Sequence, residues 1–440
     1  MILQSILSTG PGPRYCPEQC NPIPGPAQEQ FFRKQGDLQG RIIVKRYSEL
    51  PACGSMGIMQ DTSRSSPPPG SSGKSPLDLV IDQAIAEKAF PGIACGVWID
   101  GHHQFSRCTG YTADPLKANT VESEPITEKT LFDSASLTKP LATTLLIMRA
   151  AEAGFLDIDK TVGFYLPQAG GRVAEIPVHT LLTHTSGMPA IPAIERHFPL
   201  SNSLERDDAI AALLAIRPER KPGEHVVYSC TGYMLLGLIL EQISGDLIGN
   251  LYRREVAGPL CLPGATFAPG ISLSGEPLVI AGAAATEFCA WRKRRIHGQV
   301  HDESAYCLGG HAGNAGLFLS LEDAFITGLL LLQEGSVNGK QFLAAASVAD
   351  IAAEKTGGLG ERRSFGFRLH DAGTFEGPLW GSSSFGHTGF TGTSMFIAPD
   401  HRLLSIILTN RVYYGREETT QKIADFRTAF HRLVFKNFCR

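Results

Sequence analysis

The sequence has little of what marks the specialised classes of protein. Its 440 residues carry a net charge of −3, so no excess of one sign attracts nucleic acid or an anionic membrane. Cysteine is scarce, with 10 residues, far below the density of a disulfide scaffold. The longest apolar runs, 234–240 and 325–332, are much shorter than the ~18 residues of a membrane span. We expect a globular protein with a small-molecule or peptide-like substrate, no nucleic acid and no membrane span. The oligomeric state stays open.

Residues 1–75 differ in composition from the rest of the chain. They hold ten prolines and many Gly, Ser and Gln, which cannot bury enough apolar surface to offset the entropy of ordering. We therefore predict a disordered or mis-annotated leader. Cys16 and Cys20 have no second close pair, so no metal site is expected. The start, 1–7, lacks the basic region of a secretory signal, which favours the cytoplasm by default; a mis-annotated start site leaves an extracytoplasmic location open.

From Pro76 the pattern becomes that of one folded domain, 76–436. Asp100-Gly101 predicts a hairpin near its beginning, and a second hairpin is predicted around 399–401. Helical spacing of apolar residues is found in the following segments: 140–155, 177–184, 207–215, 231–244, 321–334, 346–353 and 417–436. Strands at both ends with helices between them predict an α+β fold of the α/β sandwich type. Its antiparallel sheet, built from the N- and C-terminal segments (76–135 and 355–436), is flanked by helices, with a mainly helical insertion subdomain at 140–350. We therefore expect the functional site to lie between the sheet part and the helical insertion.

The segment Ser136-Leu137-Thr138-Lys139 has a spacing that matters chemically. A serine and a lysine three residues apart in the first turn of a helix share one face. The apolar residues that follow, among them Leu141 and Leu145, predict that Lys139 is enclosed. A lysine without solvent around its charge can take part in proton transfer. The segment alone is also compatible with a helix cap followed by a solvated lysine.

Two further segments resolve that ambiguity. Tyr228-Ser229-Cys230 precedes an apolar helix, and His387-Thr388-Gly389 lies in a predicted strand. With the first segment they resemble, in the same order, the three elements of the class C beta-lactamase and penicillin-binding family of serine hydrolases. The blocks 181–187, 300–305 and 308–318 extend the resemblance through most of 76–435, and the last resembles the esterase-like branch. The resemblance implies a beta-lactamase/transpeptidase-like fold.

The resemblance also implies roles. Ser136 is the nucleophile, and a Tyr228 phenolate, with its pKa lowered by Lys139, is the base. The backbone N–H groups of Ser136 and Phe390 form the oxyanion hole, and Gly389 lets the substrate lie close to the strand. His387 faces the cleft, where it bonds Tyr228 or a substrate carboxylate. Thr388 alternates to the opposite face.

Cys230 departs from the family pattern. The third residue of this element is usually asparagine, whose amide holds the acylamide side chain of the substrate. A thiol cannot reproduce that pair of donor and acceptor. Cys230 at this substrate-binding position therefore puts beta-lactamase or D-alanyl-D-alanine carboxypeptidase activity in question and favours an esterase or an amidase of other specificity.

Other polar residues that could belong to a catalytic or metal site are predicted to have structural roles instead. No Gly-x-Ser-x-Gly elbow occurs, so the alpha/beta-hydrolase alternative lacks its nucleophile and His184 is expected to be structural. His301 and Asp302 lack a third ligand, so we expect a hydrogen-bonding scaffold for the glycine-rich loop. The run 292–295 is expected to be a solvated basic patch.

The sequence thus predicts a serine hydrolase that forms an acyl-enzyme through Ser136 and cleaves an ester, amide or lactam carbonyl. No metal and no organic cofactor are implied. The alternative is a penicillin-binding or sensing protein on the same scaffold, acylated without turnover.

Overall fold

The computed structural model describes residues 74–117, 121–198, 205–268, 278–371 and 380–439. The predicted leader, with Cys16 and Cys20, lies outside the described residues except for its last two positions. The first helix begins there: Ser75 caps it through a reciprocal pair of hydrogen bonds with Asp78, the arrangement that satisfies otherwise unpaired N–H groups at a helix start.

An antiparallel sheet is assembled from both ends of the chain. Its strands are, in spatial order: β10 (Arg368–Leu369), β11 (Phe385–Thr388), β12 (Ser394–Ala398), β13 (Leu403–Thr409), β1 (Gly92–Ile99) and β2 (His102–Gly110). The first strand of the chain lies beside the last, with Ile93 opposite Thr409. Both predicted hairpins are confirmed. Asp100 and Gly101 have φ of +51° and +82°, the left-handed pair that a two-residue turn requires.

Helices and short strands make up the rest of the described fold, most of them in the middle of the chain. The helices are: α1 (Pro76–Ala86), α2 (Leu145–Glu152), α3 (Val162–Tyr165), α4 (Gly171–Ala174), α5 (Val178–Leu182), α6 (Arg206–Leu214), α7 (Cys230–Ser244), α8 (Ile248–Tyr252), α9 (Glu303–Cys307), α10 (Leu321–Leu332), α11 (Ala345–Ala352) and α12 (Thr420–Phe438). The remaining strands are: β3 (Phe132–Asp133), β4 (Thr266–Phe267), β5 (Phe288–Cys289), β6 (Arg294–Arg295), β7 (Leu317–Leu319), β8 (Ser336–Val337) and β9 (Lys340–Gln341). Strands β3, β7 and β4 form a small second sheet.

The large sheet separates two hydrophobic clusters because its side chains alternate between its faces. In β1, Ile93 and Cys95 face α1 and α12, whereas Ala94 joins the core shared with the central helices. The predicted α+β sandwich, with a sheet built from the termini, is thereby confirmed. Across the described residues, no single helix is long and apolar enough to cross a membrane, although α7 with residues 248–257, bent by 74°, meets the criterion as a pair.

Two local expectations need correction. The helix predicted for 140–155 begins with a wider π-helical segment, Lys139–Thr144, before α2, and such segments are frequent at functional sites. The run 292–295 is not a solvated patch. Arg292 is buried and donates to the carbonyl oxygens of Val300 and His301.

Candidate active site

The loop that carries Ser136 is held in a strained conformation. It follows β3, and Ala135 has φ of +47°, which costs a non-glycine residue about 1–2 kcal/mol. The buried carboxylate of Asp133 accepts hydrogen bonds from the N–H of Ala135 (2.8 Å) and that of His301 (2.6 Å). These bonds fix the turn that presents Ser136.

Lys139 is fully buried beside Ser136. Its Nζ donates to Ser136 Oγ at 3.1 Å and to the carbonyl oxygen of Asn314 at 3.1 Å, and it lies 3.5 Å from Cys230 Sγ. The structure confirms the prediction that Lys139 is enclosed. Asn314 belongs to the glycine-rich segment before β7, so the insertion supplies one wall of the site.

Tyr228 lies between aromatic and cationic neighbours. Its ring centroid is 4.9 Å from Lys139 Nζ, 5.3 Å from Arg363 Cζ and 4.6 Å from the centroid of His184. The Nδ1 of His184 accepts the N–H of Ser229 at 3.0 Å. His184 therefore fixes the backbone beside Tyr228 and packs against its ring.

The protonation of this pair differs from the expectation. Burial raises the pKa of Tyr228, and the nearby charge of Lys139 offsets this only in part. Burial also disfavours the charge of Lys139, but Cys230 and Tyr228 beside it hold the pKa of the ammonium above its ordinary value. The pair at neutral pH is therefore an ammonium and a neutral phenol, not a phenolate.

Strand β11 forms the other wall. His387 is buried, its ring centroid lies 5.7 Å from that of Tyr228, and its Nδ1 lies 2.8 Å from the carbonyl oxygen of Thr388. Burial, with the charges of Arg363 and Lys139, lowers the pKa of His387 well below its usual range. His387 is therefore neutral. Thr388 also lines the cavity, against the expectation that it faces away.

The end of β11 packs closely on the serine loop. A Cβ on Gly389 would lie 2.0 Å from Thr393 Oγ1 and 2.6 Å from the carbonyl oxygen of Ser134, so only glycine fits. Gly389 donates its N–H to Thr393 at 2.7 Å. Phe390 follows with a half-exposed ring stacked on His301, their centroids 5.6 Å apart.

Beneath Phe390 lies a network of charged groups. Glu287 pairs with Arg416 (Oε2 to Nε, 2.8 Å) and lies 3.1 Å from His301 Nε2. Arg416 also bonds Glu303. Glu287, Cys289 and Glu303 are close enough together to hold a metal ion, but the guanidinium of Arg416 bridges both carboxylates. His301 donates its backbone N–H to Asp133 of the serine loop, and Asp302 caps α9, the helix that leads into the glycine-rich loop.

A cavity of about 460 Å³ opens at Ser136. Tyr228, His387, Gly389 and Phe390 share its lining with Ser136. Lys139 contacts Ser136, and Cys230 contacts Lys139. The structure thus brings together all seven residues predicted for the site. The sequence did not single out four arginines that also line the cavity: Arg363, Arg368, Arg411 and Arg427. No motif marks them, because they come from three segments of the chain: the pair Arg363 and Arg368, then Arg411, then Arg427.

Comparison with known proteins shows the family and the fold. The Beta-lactamase family model matches residues 77–430. An N-acetylmuramyl-L-alanine amidase of Bacillus subtilis (strain 168) is 31% identical over 361 residues, covering 76% of this chain and 80% of that protein. Two solved structures share the fold: EstCE1, a hydrolase with promiscuous acyltransferase activity (23% identity, TM-score 0.59, 80% of this chain and 97% of that one), and a class C beta-lactamase (18%, 0.61, 81% and 94%). The chain belongs to the beta-lactamase family of serine hydrolases.

Proposed function

We propose that the protein hydrolyses acyl compounds through a covalent acyl-enzyme on Ser136. The observation that carries the proposal is the contact of Lys139 Nζ with Ser136 Oγ at 3.1 Å at the mouth of a cavity that Tyr228 also lines. A serine hydroxyl is a weak nucleophile until an adjacent group accepts its proton. The Lys139–Tyr228 pair is the group in position to do so.

The pair acts after it loses one proton. With the pKa values of Lys139 and Tyr228 both raised, the resting pair holds no base at neutral pH. Once the pair has released a proton to solvent, it accepts the proton of Ser136 while Oγ forms a bond to the substrate carbonyl carbon. The same proton then passes to the departing alkoxide or amine, and water repeats the sequence to release the acid.

Two backbone N–H groups are proposed to stabilise the oxyanion that develops in each step. Ser136 and Phe390 both line the cavity, and Gly389 already donates its N–H to Thr393, so Phe390 provides the next donor of that segment. A fixed donor aimed at developing charge contributes about 3–4 kcal/mol in a serine protease of a different fold. The close packing of Gly389 on the serine loop holds together the two segments that carry these donors.

The substrate bond we favour is an ester. Cys230 occupies the position from which an amide side chain would hold an acylamide substrate, and its sulfur contacts Lys139 at 3.5 Å. Esters also have the better leaving group, which a site without that clamp needs. The name of the Bacillus subtilis relative, an amidase, makes amides the second bond to test.

The experiment is a parallel assay of p-nitrophenyl esters, D-amino-acid amides and a chromogenic cephalosporin. We expect ester turnover that Ser136→Ala lowers by at least ~10³-fold. Ser347→Ala, a helix serine remote from the cavity, is the matched control and keeps full activity. Undiminished ester turnover in Ser136→Ala would contradict the proposal. Stoichiometric labelling by penicillin without turnover of any substrate would favour the alternative, a penicillin-binding or sensing protein.

A further inference from the structure

The turn that follows β11 carries Phe390, whose N–H is the second proposed oxyanion donor. Gly392 donates its N–H to the carbonyl oxygen of Gly389 at 3.1 Å, which closes a β-turn over 389–392 with Phe390 at its second position. The first carbonyl group of such a turn points inward. Because a trans peptide is rigid and planar, the N–H on its other side points outward. The N–H of Phe390 donates to no group in the described part of the chain, so it is left for a substrate.

The peptide between Gly389 and Phe390 needs support from outside. Gly389 has no side chain, and glycine rotates about its backbone bonds more freely than any other residue, so this peptide could turn over with little strain. A peptide that had turned over would present its carbonyl oxygen to the oxyanion, and attraction would become repulsion. An oxyanion hole at this position therefore requires a group that holds the Gly389 carbonyl.

Arg427 is in position to hold that carbonyl. It lies in α12, 38 residues further along the chain, and only 5% of its surface is exposed. Its Nη2 donates to the carbonyl oxygen of Gly389 at 3.2 Å and to that of Thr393 at 2.6 Å. The same oxygen of Thr393 accepts the N–H of Gly389 at 2.7 Å. One guanidinium nitrogen thus binds both ends of the turn.

This contact also affects the strength of the donor. A guanidinium makes a charge-assisted hydrogen bond, and a carbonyl that accepts such a bond polarises its peptide, which strengthens the N–H on the other side. Because Arg427 is buried, water and salt screen its charge only weakly. Its positive charge therefore lies behind the peptide whose N–H is the proposed donor.

A second arginine holds the rest of the turn. Arg411 Nε donates to the carbonyl oxygen of Phe390 at 2.8 Å, and the backbone N–H of Arg411 donates to that of Thr391 at 2.9 Å. Arg411 therefore acts on the two peptides that follow Phe390. Of the two arginines, only Arg427 donates to the peptide that contains the N–H of Phe390.

We propose that Arg427 is a positioning residue for the oxyanion hole, where it holds and polarises the Gly389–Phe390 peptide so that the N–H of Phe390 meets the oxyanion. The inference rests on the proposed acyl-enzyme at Ser136 and adds a residue that acts on it through Phe390. Since Arg427 also lines the cavity, a role in binding the substrate is the reading to test against, and it would appear in KM.

Kinetics separates the two roles. Arg427→Gln is expected to lower kcat for a p-nitrophenyl ester about 30-fold, less than the roughly 10²–10³-fold that loss of a whole oxyanion donor costs. KM is expected to change by less than about threefold, because the oxyanion exists only beyond the ground state. Arg427→Lys keeps the charge with fewer donors and is expected to recover part of the loss. Arg432→Gln, an exposed arginine of the same helix, is the matched control.

The infrared band of the acyl-enzyme carbonyl reads the donor directly. The band of an isotopically labelled acyl group on Ser136 lies at lower frequency when N–H groups donate to its oxygen. We expect a higher frequency in Arg427→Gln, an intermediate one in Arg427→Lys and the native one in Arg432→Gln. The lysine variant supplies the reading if Arg427→Gln does not fold.

Two results would overturn the inference and leave the proposed function intact. One is a carbonyl band at the native frequency in a folded Arg427 variant that still carries the acyl group on Ser136. The other is a loss of activity confined to KM. A native protein that forms no acyl-enzyme would overturn the proposed function together with the inference.

Discussion

Cys230 places its sulfur 3.5 Å from the ammonium of Lys139, and it is the first of the neighbours that raise the pKa of that lysine. Because the proposed mechanism starts only after the pair has lost a proton, a neighbour that favours protonated Lys139 is expected to raise the pH at which activity appears. Cys230 is therefore expected to affect the pH dependence of activity as well as the choice of substrate.

The pH profile tests this effect. For a neutral ester, kcat/KM is expected to rise with pH on the alkaline side, because the pKa values of Lys139 and Tyr228 are both raised and their proton-poor form is scarce at neutral pH. Cys230→Ala removes a raising influence, so the rising limb is expected to move to lower pH. A limb that stays in place or moves to higher pH would contradict the assignment.

The bond that is cleaved should also respond to this position. Cys230→Asn restores an amide able to donate and accept, and we expect the ratio of amide or cephalosporin turnover to ester turnover to increase about tenfold. Cys230→Ala serves as the control, since it removes the thiol without adding the amide. A ratio that rises equally in both variants would show that the missing amide is irrelevant to bond choice.

At the scale of elements, the site depends on the close approach of β11 to the loop after β3. Thr391 Oγ1 donates to the carbonyl oxygen of Asp133 at 2.8 Å, and Thr393 Oγ1 donates to that of Ser134 at 3.0 Å. These bonds join the C-terminal strand pair to the residues that precede the nucleophile. The relative position of Ser136 and Phe390 follows from them.

Gly389→Ala tests that approach. The added methyl group would meet Thr393 Oγ1 at 2.0 Å and the Ser134 carbonyl oxygen at 2.6 Å, so the strand must move away from the loop. We expect a loss of kcat/KM of about 10²-fold or more with the fold retained, because misplacement by about 1 Å is costly in catalysis. Gly357→Ala, whose Cβ meets its nearest atom at 3.9 Å, is the control. Equal activity of the two variants would refute the role of this contact.

The elements themselves could be predicted because their signals are local. Asp100-Gly101 between alternating apolar residues specifies its hairpin, and the apolar spacing of 231–244 specifies α7 within one residue at its start. Ser136 and Lys139 were found because they lie three residues apart. The contacts of Arg363 and His184 with Tyr228 could not be predicted in this way, since each forms through packing between segments that no short-range pattern connects.

For the molecule as a whole, one ion-pair network links the insertion to the C-terminal part. Glu287 and Glu303, both in the insertion, bind Arg416 just before α12. Although burial alone would raise the pKa of Glu287, its bonds to His301 and Arg416 lower that pKa from an ordinary 4.5 to about 2. A carboxylate with a depressed pKa stabilises the fold above its ordinary pKa, and that stabilisation is lost as the pH falls toward about 2.

Glu287→Gln is therefore expected to destabilise the protein at pH 7 by on the order of 3 kcal/mol. The difference from the native protein should shrink as the pH is lowered from about 5 toward 2, measured by denaturant unfolding at a series of pH values. Glu224→Gln, at an exposed position, is the control. A difference that stays constant across this range would show that the charge of Glu287 contributes nothing to stability.

The most direct test of the acyl-enzyme is the intact mass of the protein in an acid-quenched reaction with a slowly deacylated ester. The account predicts one added acyl group per chain, located on the peptide that contains Ser136, appearing within the initial burst of p-nitrophenol and absent from Ser136→Ala. Turnover with no adduct at any time, or an adduct on another residue that persists in Ser136→Ala, would contradict it.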